Sequence, residues 1–473
     1  MEKISNKVFY MFILLLPICS LGYNTNIFRG YSLNASIYPF VIGIFLTIIE
    51  ILISKKTIIL SRPAAEATRQ LIYYYFFAVI NTLLMGVILS FYVKQYKGQF
   101  PLYKMIGRLF PVLVLLIIFY VIYSIRDKNI LTKTIKIIYI SFFIVVLYGY
   151  VQILSYYTQI SIFKIVYIKI SNLIDFGWMF DKPWNYVLLT GRINLTTPEP
   201  SEASHILNVL YYPFLLSALA NKMSMFNKKI IGLSVELILF ALSLPIIIFT
   251  YSSSSYFFCT IQIVVALIVY LANEKNILRV ILKAVIAISS IGLIMFTFIK
   301  VIDNRVLNNL TFYLKKVTEV SNGSSNTRYA LMSSAFKVFL KYPINGVGWN
   351  NTGFFMRDNL PTWSLFNKDI INEFDPANLA SFPIGPGNID LLSTTGIIGF
   401  ALFTSVFYFI YKYLKLLSKK NILFKYYFTA FILYCFGYIL NGFNNGIFGF
   451  MFQWVVLALF IAVINVFYRK NSE

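Results

Sequence analysis

Long runs of Ile, Leu, Phe, Tyr and Val recur along this chain, parted by short polar clusters. A run of roughly 20 apolar residues is the length at which an α-helix crosses the hydrocarbon core of a bilayer. The runs are continuous rather than alternating, which favours helices over a membrane β-barrel. The pattern predicts about twelve spans of the length a bilayer demands. They cover residues 8–22, 35–53, 71–92, 109–125, 136–157, 204–221, 230–251, 256–272, 280–301, 389–411, 424–441 and 447–467. The first follows a positive N-terminal segment, as the apolar part of a signal peptide does. No small-residue cleavage site precedes Tyr23, so it is read as a retained span.

Composition supports an all-α polytopic membrane protein built as one integral domain. Of 473 residues, 59% are hydrophobic and 12% charged, whereas soluble domains are about a quarter charged. The net charge of +23 raises nucleic-acid binding as an alternative. That charge is spread over short loops and makes no basic domain, so positive loops against anionic lipid are the simpler account. Cys19, Cys259 and Cys435 all lie in apolar runs, and His205 is the single histidine, so neither a disulfide nor a metal site is expected.

Lys and Arg set the orientation. With the N-terminus inside, the inner segments carry Lys55, Lys56, Arg62 and Arg69, then Arg126, Lys128, Lys133 and Lys136, later Lys222, Lys228 and Lys229, and then Lys412, Lys415, Lys419, Lys420 and Lys425. The outer segment near 93–108 breaks the rule with Lys94, Lys97, Lys104 and Arg108. Both termini are then cytoplasmic. Two long non-spanning segments, 158–203 and 302–388, fall outside and hold most of the carboxylates. Long ordered loops are where function usually resides in such scaffolds. The two halves do not mirror each other, which weakens a repeat-built transporter.

The stretch "TGRINLTTPEPSEASHI", residues 190–206, gathers Arg192, Glu199, Glu202 and His205. Pro198 and Pro200 bracket Glu199 and restrict its backbone. Ser201 is placed to cap the following helix, with Glu202 in its first turn. Glu199 reads either as a general base on a rigid turn or as a carboxylate that braces the loop by pairing with Arg192. His205 reads as a helix-face residue or a catalytic one.

In the second loop, residues 328–341 show the apolar spacing of an amphipathic helix that Arg328 opens and Pro343 ends. "NGVGWNN" then reads as a turn that admits close backbone approach. Arg305, Arg328 and Arg357 could together grip phosphate bidentately; contacts to lipid headgroups are the alternative, favoured for Arg305. Within the spans Glu236 is the carboxylate deepest in an apolar run and reads as functional or as paired to a neighbouring helix. Glu50, near an inner end, can snorkel.

Three stretches resemble a family. They are "GRINLTTPEPSEAS" in the first outer loop, "R…KYPINGVGWN" in the second, and "GNIDLLSTTGIIGF" leading back into the membrane. They look like the bacterial O-antigen polymerases called Wzy, which share a superfamily with the O-antigen ligases. The resemblance implies a GT-C-like architecture. It also implies an inner-membrane glycosyltransferase that moves a growing glycan from undecaprenyl pyrophosphate to an incoming lipid-linked repeat unit, on the outer face. By match of motifs, Arg192 and Arg328 correspond to essential loop arginines and Glu199 to the Glu-Pro-Ser carboxylate. The reading makes Glu199 the base, Arg192 and Arg328 the donors that steady the leaving pyrophosphate, and Arg357, Arg305, His205 and Asn388 substrate contacts. No cofactor or metal is implied, and a chain-length regulator protein is a possible partner. The ligases carry a histidine where this chain has Gly387-Asn388, which favours polymerase over ligase. A lipid-linked oligosaccharide flippase is the alternative from another class; it needs a charged path through the spans, where this chain has little beyond Glu236.

Overall fold

The computed structural model describes residues 2–19, 35–54, 60–92, 96–98, 100, 112–158, 160–174, 185–226, 229–230, 232–273, 324–349, 351–378, 383, 385–442 and 451–469. Arg305 and the expected span at 280–301 lie outside them. In chain order the helices are α1 (Glu2–Leu15), α2 (Ile37–Ser54), α3 (Arg62–Tyr92), α4 (Val112–Ser124), α5 (Lys128–Tyr157), α6 (Ser161–Ile174) and α7 (Asn185–Thr190). They continue with α8 (Pro200–His205), a π-helical turn (Ile206–Tyr211), α9 (Tyr212–Ala220), α10 (Val235–Phe249), α11 (Ser253–Ala272), α12 (Ser324–Lys341), α13 (Thr352–Met356) and α14 (Lys368–Phe374). The last three are α15 (Gly387–Ser418), α16 (Ile422–Asn441) and α17 (Met451–Arg469). A two-stranded antiparallel hairpin pairs Lys229–Ile230 with Leu233–Ser234.

The protein is an all-α, multi-pass membrane protein. Among the described residues, seven helical segments are long and apolar enough to cross a bilayer, one of them the continuous Pro200–Ala220, and three shorter apolar helices accompany them. Several helices outrun the apolar runs that predict them. α5 begins at Lys128 rather than 136, because Asp127 caps it by accepting from the amides of Asn129 (2.6 Å) and Ile130 (2.9 Å). Its early lysines are compatible with a helix that continues into the headgroup layer. Hydropathy sees only the apolar middle of such a helix.

The chain divides into two compact units: Met1–Thr57, Ser124–Lys315 and Leu414–Tyr438 in the first, and Ile58–Tyr123, Lys316–Tyr413 and Ile439–Glu473 in the second. In the first unit, Pro200–Ala220 is the central element, with 94% of its apolar window buried. In the same unit Arg126 and Glu50 form a two-pronged ion pair, 2.8 Å at each contact. Glu50 is therefore paired and buried rather than snorkelling. In the second unit, α17 is the central element, buried from Phe452 to Val466 and packed on α3. α12, expected from 328, starts at Ser324 and buries Ala330, Ala335 and Val338 in a cluster with Val347, Met356, Ile370 and Phe374.

Two departures have physical reasons. Glu236 is not deep in a span: the hairpin ends at Ser234, which caps α10, so Glu236 is in that helix's first turn. Its carboxylate accepts from the Met225 amide (2.8 Å) and the Ser224 hydroxyl (3.2 Å). Lys97, one of the cations that broke the charge rule, is buried, and its ammonium donates to the Glu373 carbonyl. Tyr96 donates to the neighbouring Phe374 carbonyl (3.3 Å), so both serve the C-terminal turn of α14. Burial pushes the Lys97 ammonium below the usual lysine range, with Glu373 and Asp375 opposing the shift.

Candidate functional site

The segment from Gly191 to Glu199 is irregular backbone held against α5 by hydrogen bonds at Asn194 and Leu195, and it runs into α8 (Pro200–His205). It leaves α7 through Gly191 in the left-handed region (φ 68°), where a Cβ would lie 2.7 Å from the Tyr156 ring. Ile193, Asn194, Leu195, Thr196 and Thr197 are all buried. Buried irregular backbone must find hydrogen-bond partners, and Gln152 of α5 supplies them. Its side-chain nitrogen donates to Asn194 Oδ1 (2.9 Å) and the Leu195 carbonyl (3.0 Å), and its oxygen accepts from the Leu195 amide (3.0 Å). Asn194 in turn donates to the Thr197 carbonyl (2.6 Å). Leu195 holds φ 54°, a conformation that costs a non-glycine residue about 1–3 kcal/mol and persists where surroundings over-determine it. The end of α1 closes the other side: Cys19 donates its amide to the Thr196 carbonyl (3.1 Å).

On this held segment sit the charged groups. Arg192 is half-buried and its Nε donates to the Thr250 carbonyl (3.3 Å) after α10. Glu199 has extended backbone (φ −133°, ψ 150°) and is itself the N-cap residue of α8, with Pro200 at the first helical position. Ser201, expected to cap, instead donates its hydroxyl to Glu199 Oε2 (3.2 Å). Glu199 is half-exposed, at the positive end of a helix dipole. Glu202 is in the first turn of α8 as expected. One of its carboxylate oxygens, Oε2, is shielded from solvent and has no hydrogen-bond partner among the described residues. His205 is buried and ends α8. The π-helical turn follows directly, a feature often found at functional sites.

The second unit holds the remaining expected residues. Arg328 is half-buried in α12. Arg357 is exposed on the 3₁₀ turn after α13, which packs on α12. Arg357 is close enough to oppose the rise that burial imposes on the Tyr96 hydroxyl. Asn388, near the start of α15, donates its side chain to the Ile439 carbonyl (2.6 Å) and its amide to the Gly442 carbonyl (3.2 Å). It ties α15 to the end of α16.

The turn after Pro343 does what its glycines suggest. Gly346 (φ 67°) and Gly348 (φ 81°) lie against the backbone of Ser393–Thr394 and of Thr82. The amides of Val347 and Gly348 donate to the carbonyls of Ser393 (2.9 Å) and Thr394 (2.8 Å). Those carbonyls are available because α15 is broken at Gly396 (φ 62°, ψ −167°). Asn81 of α3 holds the arrangement, donating to the carbonyls of Asn345 (2.6 Å) and Thr394 (3.1 Å) and accepting from the Asn345 side chain (3.0 Å). Beside it, Asp390 accepts from the Thr352 hydroxyl (3.0 Å), which also meets the Ser393 hydroxyl (3.2 Å).

Sequence reading named neither Gln152 nor Asn81. The available signal was a lone amide inside each apolar run. Nothing in the pattern announced the π-helical turn.

Residues 238–378 match the family model described as O-antigen ligase. This supports the superfamily of O-antigen polymerases and ligases, whose members work as membrane glycosyltransferases, without separating the two activities. The matched stretch includes Arg328 and Arg357 and begins after the Arg192–His205 segment. No curated protein matches the chain.

Proposed function

We propose that this protein is a repeat-unit polymerase for O-antigen or a capsular glycan. It transfers a growing chain from undecaprenyl pyrophosphate to the free end of an incoming lipid-linked unit, on the outer face of a bacterial inner membrane with both termini cytoplasmic. The observation that carries this reading is the rigidly held segment that presents Arg192 and Glu199. Positioned groups are what a displacement at an anomeric carbon requires. As the acceptor hydroxyl attacks that carbon, the bond to the pyrophosphate oxygen breaks and the hydroxyl proton must leave. Glu199 is the proposed acceptor of that proton. The departing pyrophosphate keeps the bonding electron pair. Arg192 and Arg328 are the proposed cationic donors to it, with Arg357, Arg305, His205 and Asn388 as further substrate contacts. A chain-length regulator is a proposed partner. The activity needs no cofactor in this reading.

The family description favours ligase as the second reading. A ladder gel of surface glycan from cells lacking the gene separates the two. Collapse to single repeat units on the anchor means polymerase; loss of anchored glycan with polymer left on the lipid carrier means ligase. In the complemented strain, Arg192→Ala and Glu199→Gln are expected to abolish long chains while the protein still inserts at normal level. Normal chain length in either variant removes that residue from the site.

A further inference from the structure

The first outer segment contains a helix that behaves unlike an aqueous loop. α6 follows α5 after a three-residue connection and packs along it. Tyr167 of α6 lies beside Tyr148 of α5, ring centroids 6.3 Å apart. Tyr148 precedes the end of α5 by nine residues, and Tyr167 follows that end by ten. The two helices are therefore antiparallel, and α6 runs back down the spanning helix. At 1.5 Å per residue, Tyr167 is ~13 Å below the outer end of α5. The chain then returns: Tyr186 and Val187 of α7 join Tyr148 and Tyr167 in one cluster, and Gly191 is back beside Tyr156.

The two sides of α6 differ. Tyr167 and Ser171 are buried toward α5, with Ile170 and Ile174 packed on the same cluster. The opposite side exposes Ile162, Ile165, Val166 and Leu173, the last at 70%. On α5 the exposed stripe is Ile140, Phe143, Ile144 and Leu147, at helical spacing in the middle of a spanning helix. Such an exposed apolar stripe is the side a spanning helix turns to acyl chains, and α6 exposes an apolar side of its own. Lys169 sits within the exposed side of α6 and Lys164 is exposed as well. Helical side chains lean toward the N-terminus of their helix, here the outer end. Lys164, within one turn of the outer end of α6, can thus reach the outer headgroups, whereas Lys169, ~12 Å below that end, extends toward them along an apolar stem.

We propose that α6 is a re-entrant helix seated in the outer leaflet, with Ile162, Ile165, Val166 and Leu173 in contact with phospholipid acyl chains and Lys164 on headgroup phosphates. At 14 residues it is ~21 Å long, too short to span. Its helical backbone is satisfied internally, as lipid contact demands. The consequence for the neighbouring segment is depth: Gly191–His205 is held at the membrane interface rather than in free solution.

Nitroxide labels at Leu173→Cys and Ile162→Cys in the full-length protein, reconstituted in phosphatidylethanolamine–phosphatidylglycerol vesicles, test this. The otherwise unchanged chain, in which Cys19 and Cys259 are buried and Cys435 half-buried, gives the background signal. The expected result is high collision with oxygen and low collision with an aqueous nickel chelate at both sites, with 173 the more shielded from nickel. High nickel access at 173 makes α6 an aqueous loop helix and overturns the proposal. Low access to both reagents means that protein covers this side, most simply a second copy, and overturns it equally. The readout is independent of any glycan-transfer activity.

Discussion

The Gly191–His205 segment in the first unit and the Pro343–Trp349 turn in the second are held by the same device. Each leaves a helix through left-handed glycine, at Gly191 and at Gly346. Each is pinned by an amide side chain projecting from a long spanning helix, Gln152 near the end of α5 in one and Asn81 well inside α3 in the other. They differ in what they carry. The first presents Arg192 and Glu199 on the pinned backbone itself. The second pins a turn without an ionised side chain, packed under Trp349 against Tyr74 and Tyr75. Its charged neighbours, Arg328 and Arg357, are on flanking helical elements. The difference teaches that irregular backbone among spanning helices is not by itself a mark of catalysis. The role proposed for the first segment rests on the ionisable groups fixed to it.

Breaking the second turn is expected to have the largest effect on stability. A Cβ at Gly396 would fall 2.2 Å from the Ile344 carbonyl oxygen, with φ at 62°. Both atoms in conflict belong to backbone, so Gly396→Ala should destabilise by about 3 kcal/mol or more. A lowered Tm in detergent and reduced yield are the signs; an unchanged Tm shows that the helix break tolerates a side chain.

The two amide clamps come next. Gln152→Leu leaves the Leu195 amide and carbonyl and the Asn194 oxygen short of a partner, and Asn81→Leu does the same for two carbonyls. Unsatisfied buried groups cost about 1–3 kcal/mol each, not additively. Both variants should lose stability, but Gln152→Leu should lose glycan transfer more than its Tm shift explains. Equal loss of transfer per degree of Tm in both variants removes the distinction between the segments.

The smallest effect is expected at Gly191→Ala. Its φ is equally positive, yet the obstructing group is the Tyr156 side chain, which can turn away. A destabilisation of about 1–2 kcal/mol follows. The double variant with Tyr156→Phe should not recover it, because the strain is in the backbone and the ring stays.

Much of this was legible beforehand. The spans follow from uninterrupted hydrophobicity, and the expected runs 35–53 and 256–272 coincide with α2 and α11 within a few residues. The cluster at 190–206 stood out because ionisable groups are scarce elsewhere. The identity of the capping residue was less legible: two prolines around Glu199 signal a turn, but whether Glu199 or Ser201 starts the helix depends on local geometry. Glu236 was misplaced because hydropathy cannot see the short hairpin that starts α10 one residue before it. The clamps were hidden because Gln152 meets residues some forty positions away, and Asn81 residues far more distant. A single polar side chain in a span does not name its partner. α6 was not legible because 14 apolar-rich residues are too few for a span and too many for a plain loop.

The placement of α17 bears on how the protein comes into being. It is the most enclosed helix of the second unit, and Asn465 near its end accepts the amide of Ser61 (2.8 Å) at the entry to α3. α3 is synthesised early and α17 late, with the whole of the first unit's second segment threaded between them. At elongation rates of about 5–20 residues per second, α3 waits tens of seconds in the bilayer before its partner emerges. During that interval the Ser61 amide lacks Asn465, and for the earlier part of it Asn81 lacks the carbonyls of Asn345 and Thr394. α3 and α17 can pack only once α17 has been made, and until then α3 depends on lipid, water or a membrane chaperone for shelter.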